Sequence, residues 1–499
     1  MNNKIFITST LPYSNSVDVN KCGAHIGHLF EFVLTDALAK FYRTRYDKEN
    51  VFFNTGLDEE GLKIYETANG FGLPTQEFLD KQAIFWKEFC VQFQIDYDNF
   101  YRTSSQQHQI HVQNFWNKSV EHGDIYKKKY QGLYCSGCES FKTNSDLENG
   151  KCPDHPNLEL QSTEEENYFF RLSNYKNDLL NWIKTSPDFL TPSKKYQELV
   201  NIIEAIEDIS VSRQRSVVPW GVPVPDDDSQ TIYVWYSALL NYIFSAGYNP
   251  KCDEKSLTEF NENGWKDTLQ TCGSDNLRFQ AVIFQGLLMS AGIKPTHRLL
   301  VHGTILDANG KKMSKTVGNV IDPIDQLEKY GLDAVRYYAL AGLNLCENSG
   351  WDEKRLVETF NSHLADDYGN LLARTLHLVD ISNIKIDYEL INKGLFFDTV
   401  TKLVAKIKSL WEELKINEAL NETNELVKEG NRKMNAEEPW SKNVSKDKAT
   451  LCLMELHFLL SEVSKLYYPV IPAKSKEAQK ALLENKKVIL FKKIEKKYC

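Results

Sequence analysis

Two histidines lie three residues apart in the segment GAHIGHLFEF, residues 23–32. Apolar residues from Phe30 to Tyr42 recur at helical spacing, so His25 and His28 are expected near the N-terminus of a helix. Free backbone N–H groups and the positive end of the helix dipole favour an anion there, and phosphate is the natural ligand. A capped turn with two internally satisfied imidazoles would give the same pattern, so the histidines alone leave both interpretations open.

A loop with several cations is the second candidate for phosphate chemistry. The segment GKKMSKTVGN, residues 310–319, places Lys311, Lys312 and Lys315 beside Ser314 and Thr316 between glycines. A glycine-flanked loop of this kind can close on a polyphosphate and neutralise charge that develops in a transition state. Generic basic loops are also common, so this loop gains weight only in combination with the two histidines.

Four potential metal ligands follow in the segment YCSGCESFKTNSDLENGKCPDHPN. Cys135 and Cys138 form a C-x-x-C pair, and Cys152 and His155 form a C-x-x-H pair after thirteen intervening residues. Two such pairs suit tetrahedral zinc, and four protein ligands leave no position for activated water. We therefore predict one structural zinc that folds a segment with little core of its own; the alternative is a chance cluster of reduced thiols.

The elements that must position these residues alternate between strands and helices. KIFITSTLPY is typical of a buried first strand, and NVFFNTGLDEEG places Asp58 and Glu59 at the carboxyl end of another, where open parallel sheets bind ligands. Short strands and irregular polar segments fill residues 115–218 and indicate an insertion. Helical periodicity dominates from residue 356 onward. The predicted fold is α/β: a Rossmann-type parallel-sheet catalytic domain with an inserted zinc-bearing connective domain, followed by an α-helical bundle.

Composition excludes several classes of protein. The 499 residues are 42% hydrophobic, which is typical of a globular protein and not of a disordered one. We find no run of about 18 apolar residues and no signal peptide, so a cytosolic protein without membrane contact is expected. The net charge of −9 argues against broad nucleic-acid binding, although the part from residue 356 onward is +2. The lysines of its closing stretch, KKVILFKKIEKKYC, form either a solvated face or a modest phosphate-facing patch.

At this point the sequence resembles a known family. HIGH at 25–28 and KMSKT at 312–316 resemble the paired signatures of class I aminoacyl-tRNA synthetases. Further stretches are similar to the methionyl-tRNA synthetases: TLPY at 10–13, the zinc segment, NYFFRL at 167–172, WGVPVP at 220–225, YVW at 233–235, ALLNY at 238–242 and DPIDQLEKYGLDAVRYYAL at 322–340. The resemblance runs nearly end to end.

The resemblance implies a domain plan and a two-step reaction. The domains would be a Rossmann half at 1–114, the connective insertion at 115–218, a second Rossmann half at 219–321, a stem-contact segment at 322–355 and an anticodon-binding domain at 356–499. The carboxylate of methionine would attack the α-phosphate of ATP, giving methionyl-adenylate and pyrophosphate. The ribose of the 3′-terminal adenosine of tRNA would then take the methionyl group.

Site residues follow from the same resemblance. His25, His28, Lys312 and Lys315 would be catalytic, and with Gly27 and Ser314 they would bind ATP, which Mg²⁺ should accompany. Methionine would lie among Leu11, Tyr13, Asp58, Trp235, Ala238, Tyr242 and Gln280. The anticodon of tRNA would meet Asn370, Arg374 and Trp440, since an indole stacks on an unpaired base while Asn and Arg read base edges. Trp235, Tyr242 and Trp440 could otherwise be ordinary packing residues.

Several positions depart from the family pattern, mostly around the methionine site. Glu60 replaces the histidine of TDEHG, and Ser237 replaces the aspartate of WFDA. The other departures are Ser274, Asn276, Gln280, Phe284 and Gln285, together with a longer loop between Tyr13 and His25. The chain is thus a divergent methionyl enzyme, a paralogue that activates another amino acid or a methionine analogue, or a decayed tRNA-binding protein. Since no dimerisation module follows the helical part, a monomer is expected.

Overall fold

A computed structural model describes residues 4–135, 140–142, 147–153, 156–313, 318–391 and 394–495. The chain forms two compact units. The first comprises Met1–Ala24, Glu49–Val91 and Asp96–Val301, and the second comprises His25–Lys48, Gln92–Ile95 and His302–Cys499. None of the described helices combines the length and apolar character that a membrane span requires.

The strands of the first unit build one large sheet and two smaller ones. Their bounds are β1 Ile5–Thr8, β2 Val51–Leu57, β3 Asn99–Arg102, β4 Ile125–Cys135, β5 Ser140–Lys142, β6 Gln161–Phe170, β7 Leu190–Thr191, β8 Ile209–Ser210, β9 Ser212–Gln214, β10 Pro223–Val224, β11 Asp227–Ile232, β12 Asp267–Gly273 and β13 Arg298–His302. Helices lie between them: α2 Leu62–Gly70, α3 Thr75–Gln92, α4 Gln106–Glu121, α5 Lys176–Thr185, α6 Tyr196–Glu204, α7 Val234–Leu239, α8 Asn241–Ser245, α9 Glu254–Glu259 and α10 Phe284–Ser290.

The large sheet is parallel and has the strand order β3-β2-β1-β12-β13-β7. Strands β1 and β2 are almost wholly buried, as apolar strands of a parallel sheet covered on both faces must be. Gly56 of β2 is required by the approach of β3, because a Cβ there would lie 1.9 Å from the carbonyl oxygen of Tyr101. The sheet confirms the predicted Rossmann-type class, and the loops after β1, β2 and β12 share its carboxyl edge.

The chain between β3 and β12 adds two antiparallel sheets. One has the order β5-β4-β6-β8, in which β4 and β6 pair from Ile125–Phe170 to Tyr134–Gln161, and the other has the order β10-β11-β9. Leu190 nevertheless pairs with Leu299, so part of the region expected as an insertion also supplies the edge strand of the large sheet. The domain boundaries given above remain predictions.

The second unit is mainly helical. It contains α1 Ile26–Arg45, α11 Pro323–Tyr330, α12 Leu332–Ala341, α13 Glu353–Thr359, α14 Asn370–Ile381, α15 Leu395–Glu412, α16 Ile416–Glu437, α17 Lys446–Leu466 and α18 Pro472–Leu483, with the short strands β14 Ile305–Leu306 and β15 Ser349–Gly350. A buried Arg336 on α12 joins α1 through Asp36 and also binds the backbone carbonyls of Phe93 and Val470. The predicted helical bundle after the parallel-sheet part of the chain is confirmed.

Candidate active site

The two histidines cap the start of α1. His25 is the N-cap residue, and its Nδ1 accepts hydrogen bonds from the backbone N–H groups of Gly27 (3.1 Å) and His28 (3.4 Å). The Nδ1 of His28 accepts in return from the backbone N–H of His25 at 3.2 Å, and the two rings stack with centroids 3.7 Å apart. The helix begins at Ile26, four residues earlier than its apolar pattern indicated.

This capping modifies the predicted phosphate site. The sequence suggested that free backbone N–H groups of the first turn would meet an anion, but His25 already occupies two of these groups. Because Nδ1 accepts in both rings, a neutral imidazole carries its proton on Nε2. The structure thus shows the capped turn, and the phosphate site remains a prediction.

The lysine loop belongs to the same unit as α1. Asp307 anchors its first part by accepting from the backbone N–H of Lys311 at 2.9 Å, and the amide of Asn319 closes the other end by donating to Asp307 at 2.9 Å. The backbone N–H of Ile26 donates to the carbonyl of Ile321 at 3.1 Å, which ties the start of α1 to the chain just beyond the loop. Lys312 lies on this anchored part; Ser314, Lys315 and Thr316 lie outside the described residues.

The methionine candidates lie in the first unit, with Asp58 just beyond β2. The backbone of this loop pairs with the loop after β1: the N–H of Asp58 donates to Pro12 at 3.0 Å, and the N–H of Ser14 donates to Asp58 at 2.9 Å. Tyr13 thus stands opposite Asp58 in a parallel bridge. Leu11 is half-buried, and Asp58 is 8% exposed.

Aromatic side chains surround the other methionine candidates. Trp235 and Ala238 both lie on α7. Trp235 is half-buried, and its ring stacks on that of Phe279 with the centroids 3.7 Å apart. The amide Nε2 of Gln280 donates to the hydroxyl of Tyr242 at 2.7 Å, whereas its buried Oε1 has no partner among the described residues. Gln280 lies in a π-helical turn, Phe279–Ile283, a local geometry that is frequent at functional sites.

Glu60 and Ser237 form a buried polar network that sequence reasoning missed. The hydroxyl of Ser237 donates to Glu60 Oε1 at 2.8 Å, His108 Nε2 lies 3.0 Å from Ser237 Oγ, and Tyr101 Oη lies 3.0 Å from His108 Nδ1. Burial raises the pKa of Glu60 to about 8 and lowers the pKa of His108 to about 3. Nothing in the sequence pattern marks His108, because it meets Ser237 across 129 residues.

The neighbouring Glu59 has a different environment. Arg102 Nε donates to both of its carboxylate oxygens at 2.9 and 3.0 Å, and the hydroxyl of Ser104 donates at 2.6 Å. Its backbone carbonyl accepts from the indole N–H of Trp220 at 2.7 Å. These bonds fix the loop on which Asp58 lies.

Two further departures have packing explanations. Phe284 is fully buried and meets Tyr242 and Trp265 edge-on. Gln285 donates to the carbonyl of Gln280 at 2.7 Å and exchanges hydrogen bonds with Thr296. Gln285 thus supports the π-helical turn, and Phe284 fills the apolar core beside it. Ser274 and Asn276 are half-buried just beyond the carboxyl end of β12.

The anticodon candidates come together in the second unit. The guanidinium of Arg374 lies over the ring of Trp440 at 5.2 Å and donates to Asn435 at 3.4 Å. Trp440 is 47% exposed, which is unusual for a packing residue, and Asn370 at the start of α14 is exposed.

The predicted zinc ligands are partly described. Cys135 at the end of β4 and Cys152 are fully buried and not in disulfides. Cys138 and His155 lie outside the described residues, so the group of four is not tested. Within the described part of the chain, no cluster of three or more potential metal ligands occurs.

The chain that carries this parallel sheet, the histidine-capped helix and the lysine loop matches class I tRNA synthetases over most of its length. The family model described as "tRNA synthetases class I (M)" matches residues 5–162 and 157–376. The methionine--tRNA ligase of Nostoc sp. is 36% identical over 446 residues, which cover 87% of this chain and 81% of the relative. The methionine--tRNA ligase of Clostridium tetani is 36% identical over 498 residues, which cover 97% of this chain and 74% of the relative.

Solved structures agree with these relatives. The methionyl-tRNA synthetase of Mycobacterium tuberculosis, in complex with methionyl-adenylate, superimposes with a TM-score of 0.86 at 29% identity, covering 95% of this chain and 93% of that one. The chain therefore belongs to the methionine--tRNA ligases, a family of class I tRNA synthetases.

Proposed function

We propose that this methionine--tRNA ligase activates methionine with ATP, releases pyrophosphate and transfers the methionyl group to the 3′ end of its tRNA. One observation carries the proposal: likeness over 95% of the chain to a structure that holds methionyl-adenylate, the intermediate of this reaction. The intact HIGH and KMSKT segments disfavour a decayed tRNA-binding protein, since phosphate-binding residues have no reason to persist after chemistry is lost.

The phosphates of ATP are assigned to His25, His28, Lys312, Ser314 and Lys315. The two Nε2–H donors suit phosphate oxygens, and Gly27 leaves the backbone open to the adenosine. The lysines neutralise the charge that accumulates on pyrophosphate as it leaves. This is electrostatic stabilisation and involves no covalent intermediate on the protein; one such donor is typically worth about 10²–10³ in rate. Mg²⁺ bound with ATP would share that charge.

Methionine is assigned to the residues around Asp58. The carboxylate of Asp58 would hold the α-ammonium group, and Tyr13 stands directly opposite on the paired loop. Trp235, Ala238 and Tyr242, together with Leu11, offer apolar and aromatic surface to a polarizable thioether. Gln280, held by Tyr242 at 2.7 Å, gives this pocket a polar atom where the family pattern has a histidine.

We assign the anticodon to Asn370, Arg374 and Trp440. An exposed indole with a guanidinium over its face can stack on an unpaired base, while Asn370 reads a base edge. The domain plan given by the resemblance is proposed with it: 1–114 and 219–321 for catalysis, 115–218 for the connective insertion, 322–355 for the stem contact and 356–499 for the anticodon.

A structural zinc is proposed at Cys135, Cys138, Cys152 and His155. The two described cysteines support the assignment, because both are buried and cysteine supplies the soft donor that zinc prefers. Such a site would stabilise the fold around β4 and β5 and take no part in the reaction.

Charging of tRNA tests the proposal. The chain should attach labelled methionine to a methionine tRNA transcript in the presence of ATP. A transcript with a changed anticodon should be charged poorly, and Trp440→Ala should weaken charging while leaving pyrophosphate exchange intact. Absence of charging by a protein that forms the adenylate would contradict the second step.

A further inference from the structure

Two of the departures from the family pattern are in direct contact. Glu60 stands where the pattern has histidine, and Ser237 stands where it has aspartate. Although 177 residues separate them in sequence, the hydroxyl of Ser237 donates to Glu60 Oε1 at 2.8 Å. Within this contact, the carboxyl group stands at the position where the pattern has histidine, and the position of the aspartate carries a hydroxyl.

An imidazole remains beside this carboxyl group but comes from another element. His108 on α4 places Nε2 3.0 Å from Ser237 Oγ and 3.5 Å from Glu60 Oε1. Its other nitrogen lies 3.0 Å from the hydroxyl of Tyr101 on β3. With the proton on His108 Nε2, the bonds run in one direction from Tyr101 through His108 and Ser237 to Glu60, which accepts the last of them.

The network connects two segments assigned to methionine. Glu60 lies two residues after Asp58, and its backbone N–H donates to Asp58 Oδ1 at 3.4 Å. Ser237 lies on α7 between Trp235 and Ala238. The contact between Glu60 and Ser237 therefore fixes the loop assigned to the ammonium group against the helix assigned to the thioether.

We propose that Glu60 is a positioning residue for methionine, which clamps the Asp58 loop to α7 through Ser237 and replaces the histidine–aspartate pair of the family pattern. This inference rests on the proposed function of the surrounding residues. It goes beyond that function because neither Glu60 nor Ser237 is assigned to the substrate.

The titratable side chains that contact Glu60 in the described part of the chain are His108, 3.5 Å from Oε1, and Asp58, which accepts from the Glu60 backbone N–H. Burial raises the pKa of Glu60 to about 8, lowers the pKa of His108 to about 3 and raises the pKa of Tyr101. Glu59, on the same loop, is paired with Arg102 and bound by Ser104. The clamp consequently acts as a neutral acid, and its ionisation above pH 8 would leave a buried carboxylate with one donor.

ATP–pyrophosphate exchange with methionine tests this role in the full chain. Glu60→Ala and Ser237→Ala should each raise KM for methionine roughly tenfold, the loss of about one buried hydrogen bond, with kcat and KM for ATP nearly unchanged. Glu60→Gln retains an acceptor for Ser237 and should keep the wild-type KM. Its KM should stay flat above pH 8, where that of the wild type rises.

Ser212→Ala is the matched control. Ser212 is equally buried, donates one bond and accepts another, and lies on β9, which carries no residue assigned to methionine, so its loss should not alter KM for methionine. A decisive second variant is the double exchange Glu60→His with Ser237→Asp, which should lower KM relative to either single exchange.

Unchanged KM values for methionine in folded Glu60→Ala and Ser237→Ala would overturn the clamp. Independent effects of Glu60→His and Ser237→Asp on this KM would overturn it as well. If Glu60→Ala does not fold, the KM values of Glu60→Gln and Ser237→Ala for methionine test the clamp. A wild-type chain that shows no exchange with methionine would overturn the proposed function, and this inference with it. Normal pyrophosphate exchange by the wild type, together with unchanged KM values in the variants, would overturn the clamp only.

Discussion

The guanidinium Nη2 of Arg336 lies 2.7 Å from Oδ2 of Asp36, and neither side chain is exposed. Lys40 binds the other carboxylate oxygen of Asp36, and the backbone carbonyls of Phe93, Pro469 and Val470 each accept a hydrogen bond from Arg336. The pair therefore fixes the middle of α1, the helix that His25 and His28 cap, within the second unit.

Replacing Arg336 should destabilise the chain strongly. Arg336→Met removes the buried guanidinium that pairs with Asp36 and its hydrogen bonds to three buried carbonyls, so we expect the free energy of unfolding to fall by about 3–5 kcal/mol. Arg432 on α16, paired with Glu429 at the surface and 61% exposed, is the matched control, and Arg432→Met should cost under about 1 kcal/mol. Urea denaturation measures both; equal effects would contradict this role of Arg336.

The buried carboxyl of Glu60 predicts a pH dependence of stability. Its pKa is raised from 4.5 to about 8 by burial, so the folded chain holds a proton that the unfolded chain releases. The stabilisation is complete below pH 4.5 and is lost as the pH rises through 8. Relative to Glu60→Gln, the wild type should lose up to about 1.4 kcal/mol per pH unit in this window.

Unfolding free energies of both proteins at pH 6, 7, 8 and 9 measure this difference. It should grow with pH and level off above about 8. Exposed Glu121 offers a control, since Glu121→Gln should follow the wild type throughout. A pH-independent difference for Glu60→Gln would show that the carboxyl is already ionised in the folded chain.

Gly27 is predicted to admit no side chain. A Cβ at this position would lie 2.9 Å from Cε1 and 3.0 Å from Nδ1 of His25, so Gly27→Ala must displace the imidazole that caps α1. We expect pyrophosphate exchange to fall at least about tenfold. A Cβ on Gly70 in α2 would point into open space, with no described atom outside its own helix within 4 Å, and Gly70→Ala should leave the rate unchanged. Wild-type activity of Gly27→Ala would remove His25 from the phosphate site.

Zinc content tests the C-x-x-C and C-x-x-H pairs. The purified chain should contain one zinc per molecule, and a strong chelator should lower its melting temperature, with recovery on adding zinc back. Cys152→Ser should abolish stoichiometric binding, whereas Cys90→Ser, at a buried cysteine outside the two pairs, should retain it. Metal-free protein that melts like the untreated sample would favour a cluster of reduced thiols.

Local sequence patterns were sufficient to predict several elements. The apolar strands β1 and β2, the histidine-capped helix and the helical C-terminal part follow from periodicity and turn residues. His108 beside Ser237 and Arg336 beside Asp36 could not be found in this way, because contacts across 129 and 300 residues leave no local signal. The same limit applies to Glu60 and Ser237, which looked like separate departures until their hydrogen bond joined them.

ATP–pyrophosphate exchange with a panel of amino acids and methionine analogues tests the central claim most directly. We predict exchange that depends on L-methionine and saturates with increasing methionine concentration, as binding to a specific pocket requires. Other amino acids should support little exchange. Exchange supported only by another amino acid, or none across the panel, would contradict the assignment of this chain to methionine activation.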